Sequence, residues 1–255
     1  MLKTRIIPAL LLQNDALVKT IRFNKPAYIG DPINTVRIFN ELEVDELVFL
    51  DIAATNDHRR PNLKLLSEIA NECFMPLGYG GGLNDFQTVK DIFSIGFEKV
   101  VLNSVCYEQP SFVTRVSEHF GNQAVVASVD VKKNIWGNYD VYSHSGKKKS
   151  KKGLLEWVVE LEHLGAGEIL LTSIDKEGSW LGMDLSLIKK VTDVVGIPVI
   201  AHGGAGNIEH IGDAANKSLA SAVALGSMVV YQQKGMGVLV NFPDQKVLKQ
   251  VLNEA

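Results

Sequence analysis

An aspartate closing one apolar run, a histidine closing another and two glycine clusters in register are the residues of this chain equipped for chemistry. Asp130 ends AVVASVDV, where an unpaired carboxylate is costly unless the place is wet and used. That makes it the leading candidate for acid–base work. His202 ends IPVIAH immediately before Gly203 and Gly204, so its ring could donate to a phosphate or act as acid or base, although a lone histidine is more often a hydrogen-bonded structural residue. Asp51 ends ELVFLDI, where an acid either assists the reaction or caps a helix and pairs with a neighbour, and both readings stand.

The glycines occur twice. GYGGGLNDF (78–86) followed by KVVLNSV (99–105) reappears as AHGGAGNIE (201–209) followed by SAVALGSMV (221–229). A glycine cluster after an apolar strand brings bare backbone N–H groups close to an anion. Gly81, Gly82, Asn103 and Ser104 would form one nest, and Gly178, Gly203, Gly204, Gly226 and Ser227 the other, with Thr172 of TSIDKEG on the same substrate face. One cluster is a weak signal, since glycines also make ordinary turns. Two in register point to a small molecule carrying a phosphate at each end.

Apolar, β-rich runs alternate with helix-period segments from end to end, the pattern of a parallel sheet built from βαβ units. Strands are expected at RIIPAL, ELVFLDI, MPLGY, KVVLNS, AVVASVDV, EILLTS, IPVIAH and AVALGS, with a helix after each of the first seven, among them DPINTVRIFNEL, NDFQTVKDIFS and NIEHIGDAANK. Asp31-Pro32 and Asn84-Asp85 read as helix starts, and Gly96, Gly121 and Gly165 as stops. Eight strands without a composition break predict an α/β protein of one domain over residues 1–255, a single (β/α)₈ TIM barrel with an internal half-barrel repeat. Superposing the halves at the glycine clusters lays VVASVDVK over IIPALLLQ, so Asp130 faces Leu11. A barrel moving protons on a two-ended ligand would want a carboxyl from each half, and this chain supplies one. The counterpart of Asp51 is the stretch holding Asp175 and Glu177.

Residues 131–152 interrupt the rhythm. Asn134 to Tyr142 are expected as a small hairpin and Lys147 to Lys152 as a cationic tether, together a lid-like insertion over the mouth or simply a solvated loop. At the other end of the strands, Arg5, Glu46, Lys99 and Glu168 each stand directly before an apolar run. They alternate in sign, would ring the barrel floor, and must pair to survive partial burial. Such a ring could gate a small neutral molecule entering from below.

A hydrophobic fraction of 46% over 255 residues suffices for a large core, and a net charge of −3 disfavours nucleic acid or an anionic membrane as the main partner. MLKTRIIPALLLQND lacks a signal-peptide cleavage pattern, so a cytoplasmic location is expected. Cys73 and Cys106 show no metal-binding or disulfide spacing, and neither a metal nor a cofactor is expected.

From Arg5 to about residue 230 the chain resembles the HisF family, the cyclase subunit of imidazole glycerol phosphate synthase in histidine biosynthesis. The stretches that carry the resemblance are DELVFLDI (45–52), GGG (80–82), GNQAVVASVD (121–130), SGKK (145–148), GAGEILLTSID (165–175) and GGAG (203–206). The resemblance implies a barrel that receives ammonia through its interior from a glutaminase partner at the N-terminal face and uses it on a bisphosphorylated substrate at the other mouth. Arg5, Glu46, Lys99 and Glu168 match the family's charged gate; Lys19, Asp51, Asn103 and Asp130 match substrate-face positions. The family's first catalytic aspartate is replaced by Leu11, the small polar residues at the ends of strands three and seven by Gly78 and His202, and a loop glycine by Asp15. Loss of one acid–base group typically costs roughly 10²–10⁴ in rate. The expectation is therefore retained ammonia delivery with an altered acceptor. Divergent subunits of this kind accompany surface-polysaccharide clusters, where the ammonia is thought to serve amidine formation on a sugar. The rival expectation is a non-catalytic conduit that activates the glutaminase and serves a third protein.

Overall fold

The computed structural model describes residues 3–252. In chain order the strands are β1 (Arg5–Gln13), β2 (Ala16–Ile21), β3 (Asn24–Gly30), β4 (Leu47–Asp51), β5 (Leu77–Gly80), β6 (Lys99–Leu102), β7 (Val125–Lys133), β8 (Tyr139–Ser143), β9 (Lys148–Gly153), β10 (Glu168–Ser173), β11 (Val199–His202) and β12 (Ala222–Leu225). Eight of them, β1, β4, β5, β6, β7, β10, β11 and β12, pair in parallel in that order, and β12 returns to β1, closing a (β/α)₈ barrel. Closure follows from runs of valine, isoleucine and leucine with two faces to bury, which a parallel sheet covered by helices accommodates.

Alternation along each strand splits the core. Ile7, Ala9, Val48, Val126, Leu170 and Ile200 point inward and pack on one another, whereas Ile6, Leu10, Phe49, Val125, Ile169 and Val199 face the surrounding helices. The helices begin where short polar side chains satisfy their first N–H groups: Asp31 accepts from Asn34, Asp85 from Thr88 and Asn207 from His210. Gly96, Gly121 and Gly165 terminate three of them with positive φ. Among the described residues no helix is long and apolar enough to cross a membrane.

Three expectations change. Within residues 131–152 the expected hairpin forms, β8 pairing antiparallel with the extension of β7, but the lysine run is not a tether: it forms β9, which pairs with β8. Lys149 meets Asp140 at 2.6 Å, and Lys152 pairs with Glu160 while lying 4.3 Å over the Trp157 ring. A lysine-rich run suits an edge strand, whose charges discourage further pairing. The second change is symmetry: β1 also runs on into an antiparallel hairpin, β2–β3, so the first strand of each half-barrel carries one. The third concerns Gly78, which does not end its strand. It sits low in the barrel, in register with Val48 and Lys99, and the strand closes at Gly80.

Candidate active site

β7 delivers Asp130 to the C-terminal mouth, and the register of the parallel sheet decides its company. Thr172 on β10 is in register with Asp130 on one side and His202 on the other, so the three side chains stand together. His202 Nδ1 lies 3.2 Å from Thr172 Oγ1, and Thr172 stands in register beside Asp130. Asn103 Nδ2 donates to Asp130 Oδ2 at 3.1 Å and to the Ser128 carbonyl at 3.0 Å. Burial pushes the Asp130 carboxyl up to about 7, against the lowering effect of the hydrogen bonds from Thr172 and Asn103. Burial, reinforced by the Lys19 charge and opposed by Glu177, holds His202 down to about 4. Near neutral pH the site therefore contains a carboxyl poised between its two forms and an uncharged imidazole.

These groups open onto a cavity of about 640 Å³, and Leu11 lines the same cavity as Asp130 and His202. An aliphatic side chain thus shares the cavity with Asp130. Asp51 borders the cavity but is heavily engaged: Arg59 Nη2 reaches its two oxygens at 3.0 and 2.9 Å, and the N–H groups of Ala53 and Ala54 donate to Oδ1 at 3.1 and 3.0 Å. The loop after β4 is wound around that carboxylate.

The two glycine clusters differ. Gly81, Gly82, Asn103 and Ser104 all line the large cavity. Gly81 has φ +122°, and an added Cβ would fall 2.5 Å from the Asp51 carbonyl, so only glycine allows this approach. Ser104 Oγ accepts from the His144 N–H at 3.1 Å, while Ser145 Oγ donates to the Ile52 carbonyl at 2.8 Å, which lays the β8–β9 turn across this nest. Gly178, Gly203, Gly204, Gly226 and Ser227 enclose instead a separate void of about 10 Å³, shared with Lys19 and Glu177. Lys19 and Glu177 form an ion pair there, 5% and 1% exposed. Sequence reading notes Glu177 only as a counterpart of Asp51; its place directly before Gly178 was the available signal.

At the N-terminal end the four charges close a ring. Arg5 Nη1 meets Glu46 at 2.6 Å and Nη2 meets Glu168 at 2.8 Å, while Lys99 Nζ lies 2.9 Å from Glu46 and 3.2 Å from Glu168. Signs alternate around the circuit, and each charge touches two of opposite sign. Polar side chains placed so deep survive because each one is paired.

The model of the family described as histidine biosynthesis protein matches residues 5–235. A Pseudomonas aeruginosa protein with the provisional name imidazole glycerol phosphate synthase subunit hisF2 is 46% identical over 244 residues, 96% of this chain and 97% of that one. A Leptospira borgpetersenii protein with the provisional name imidazole glycerol phosphate synthase subunit HisF is 44% identical over 96% of both chains. The imidazole glycerol phosphate synthase subunit HisF of Streptococcus sanguinis is 40% identical over 91% of this chain and 92% of its own. With a closed eight-stranded barrel, a carboxyl at its mouth and likeness along almost the full length, the chain belongs to the histidine biosynthesis protein family, among the HisF subunits of imidazole glycerol phosphate synthase.

Proposed function

We propose that this chain is the synthase subunit of a glutamine-dependent complex: it takes ammonia from a glutaminase docked at the N-terminal barrel face and delivers it through the interior to a phosphorylated acceptor at the opposite mouth. The observation that carries this reading is the closed ring of Arg5, Glu46, Lys99 and Glu168 at one end of the barrel, with Asp130 at the other. A ring of mutually paired charges resists ions from solvent, yet it can part for a small neutral molecule without leaving any charge unpartnered for long.

At the mouth, Asp130 exchanges the proton. A group poised near neutrality serves as acid and base in turn, and Thr172 links it to His202 as a helper. Gly81, Gly82 and Ser104 hold a phosphate. Asp51 positions Arg59 and the loop beneath that nest, its acceptor sites being taken. Leu11 leaves no second carboxyl, so we assign a changed acceptor, such as a sugar in a surface-glycan amidation pathway, in place of efficient cyclisation. Assayed with a glutaminase partner and the substrate of the histidine pathway, the chain should turn over at least about 100-fold slower than a synthase with both acids, and Leu11→Asp should recover most of the deficit. Full wild-type turnover sinks the altered-acceptor reading.

The same Leu11 favours a second reading, a conduit and glutaminase activator without chemistry of its own. Asp130→Asn separates the two: product loss with unchanged glutaminase stimulation supports the enzyme, and unchanged product supports the conduit.

A further inference from the structure

A net charge of −3 disfavours an anionic surface for the molecule as a whole, but the charge is unevenly spread: residues 131–152 hold seven lysines and a single aspartate. At the end of this arm the β7–β8 turn carries Ile135 and Trp136, 88% and 78% exposed and among the most exposed large apolar side chains of the molecule. The function proposed above uses neither that turn nor the cations around it.

The turn is built to hold those side chains outward. Asn134 Oδ1 accepts from the N–H groups of Trp136 and Asn138, both at 3.0 Å, the Asn134 N–H donates to the Asn138 carbonyl at 2.8 Å, and the Gly137 N–H to the Asn134 carbonyl at 2.9 Å. These backbone groups are satisfied from within, as those of an element entering a water-poor layer must be. Gly137, at φ +80°, has nothing within 4 Å of an added Cβ, so the tip projects clear of the barrel.

Lysines stand directly behind it. The register sets Lys132 beside Asp140 and Lys133 beside Tyr139 at the tip end of the hairpin, and Gly153 beside Asp140 brings the end of β9, with Lys151 and Lys152, to the same level. Lys133, Lys149 and Lys152 are paired with Asp184, Asp140 and Glu160. Lys132, Lys148 and Lys151 are exposed and, among the described residues, have no carboxylate partner.

We infer that the β7–β8 tip docks this chain on an anionic lipid surface, with Ile135 and Trp136 entering the headgroup boundary and Lys132, Lys148 and Lys151 meeting lipid phosphates. Tryptophan suits that boundary because its ring is apolar and its N–H can stay hydrated, and lysines close to an anionic leaflet add attraction that fades within a Debye length. A convex tip flanked by cations matches a fluid, negatively charged surface without needing a preformed pocket in a partner. Asp130 lies five residues before Ile135 on the path of β7, on the order of 17 Å at the rise of a strand, so docking would turn the mouth of the cavity toward the membrane. The inference goes beyond the function proposed above and does not depend on it.

Co-sedimentation of the full-length chain at low ionic strength with vesicles of phosphatidylglycerol and phosphatidylcholine in equal parts, against phosphatidylcholine alone, tests it. The wild type should bind the mixed vesicles at least about 10-fold more tightly than the neutral ones, and added salt should shrink the difference. Tryptophan fluorescence should shift to the blue on binding, and the shift should be lost in Trp136→Phe, which keeps an apolar ring at the tip. The double variant Ile135→Ser, Trp136→Ser should lose at least about 10-fold in affinity at an unchanged urea midpoint, since both side chains are exposed. Wild-type chain that stays in solution with the mixed vesicles overturns the inference and returns the tip to a protein partner. Equal binding to both kinds of vesicle overturns it too, as does a double variant that binds like the wild type.

Discussion

Asp130 and His202 flank Thr172 in the sheet, and each is buried where its neutral form is favoured. Their effects on stability run in opposite directions. The Asp130 carboxyl has a folded value of about 7 against an ordinary 3.8, so between those values the folded chain holds the extra proton and stability falls as pH rises. His202 is held at about 4 against 6.5, so across that interval the unfolded chain holds the extra proton and stability rises with pH. From about pH 4 to 6.5 the two slopes oppose each other, and the pair contributes little net pH dependence to the wild type. Each single variant should expose the other's slope. Asp130→Asn is expected to give unfolding free energies that increase with pH over this window, and His202→Gln energies that decrease, each by on the order of 1 kcal/mol per pH unit. Urea unfolding at half-unit steps measures both, and slopes of the same sign in the two variants would contradict the linkage.

The hairpins show how neighbouring strands are recruited to guard this group. Asn14-Asp15 and Arg22-Phe23 form two-residue turns with positive φ at all four positions, and such turns match the twist of antiparallel strands. Asn-Asp is suited to that conformation; Arg-Phe is not, and sequence reading has no reason to place a turn there. The β2–β3 hairpin was therefore missed, although the one following β7 was partly legible from Asn134 to Tyr142. The β2–β3 turn meets the β8–β9 turn, where an added Cβ on Gly146, itself at φ +76°, would lie 3.0 Å from the Phe23 ring. Gly146→Val should force the turns apart at a cost of about 1–3 kcal/mol for the strained backbone alone. Amide exchange should then accelerate in β2, β3, β8 and β9 while the barrel strands keep their protection. Uniform acceleration everywhere would mean that the turns are not an independent unit.

The floor ring ties together strands from both halves of the barrel, and its cost of disruption depends on what is left behind. Lys99→Met would leave Glu46 and Glu168, with 3% and 12% of their side chains exposed, sharing Arg5 alone. A loss of about 2–4 kcal/mol is expected, read as a lower urea midpoint at unchanged slope. Arg5→Met should cost less, because 26% of its side chain is already exposed and water screens what remains. A larger loss for Arg5 than for Lys99 would show that the ring is not organised as described.

Local pattern determined much of this molecule. Strand and helix positions follow from periodicity, helix starts from Asp31 and Asp85, the ring from charges placed directly before four strands, and the vacancy opposite Asp130 from the register of two half-chains. Each depends on residues close in sequence, or on a repeat that sequence displays. The engagement of Asp51 by Arg59 and the pairing of Lys19 with Glu177 at the second nest do not. The latter pair is 158 residues apart, and a lysine on a short strand looks the same in sequence whether it is free or already holds a carboxylate. Only the folded barrel brings β2 down onto that nest, and with it Lys19 onto Glu177.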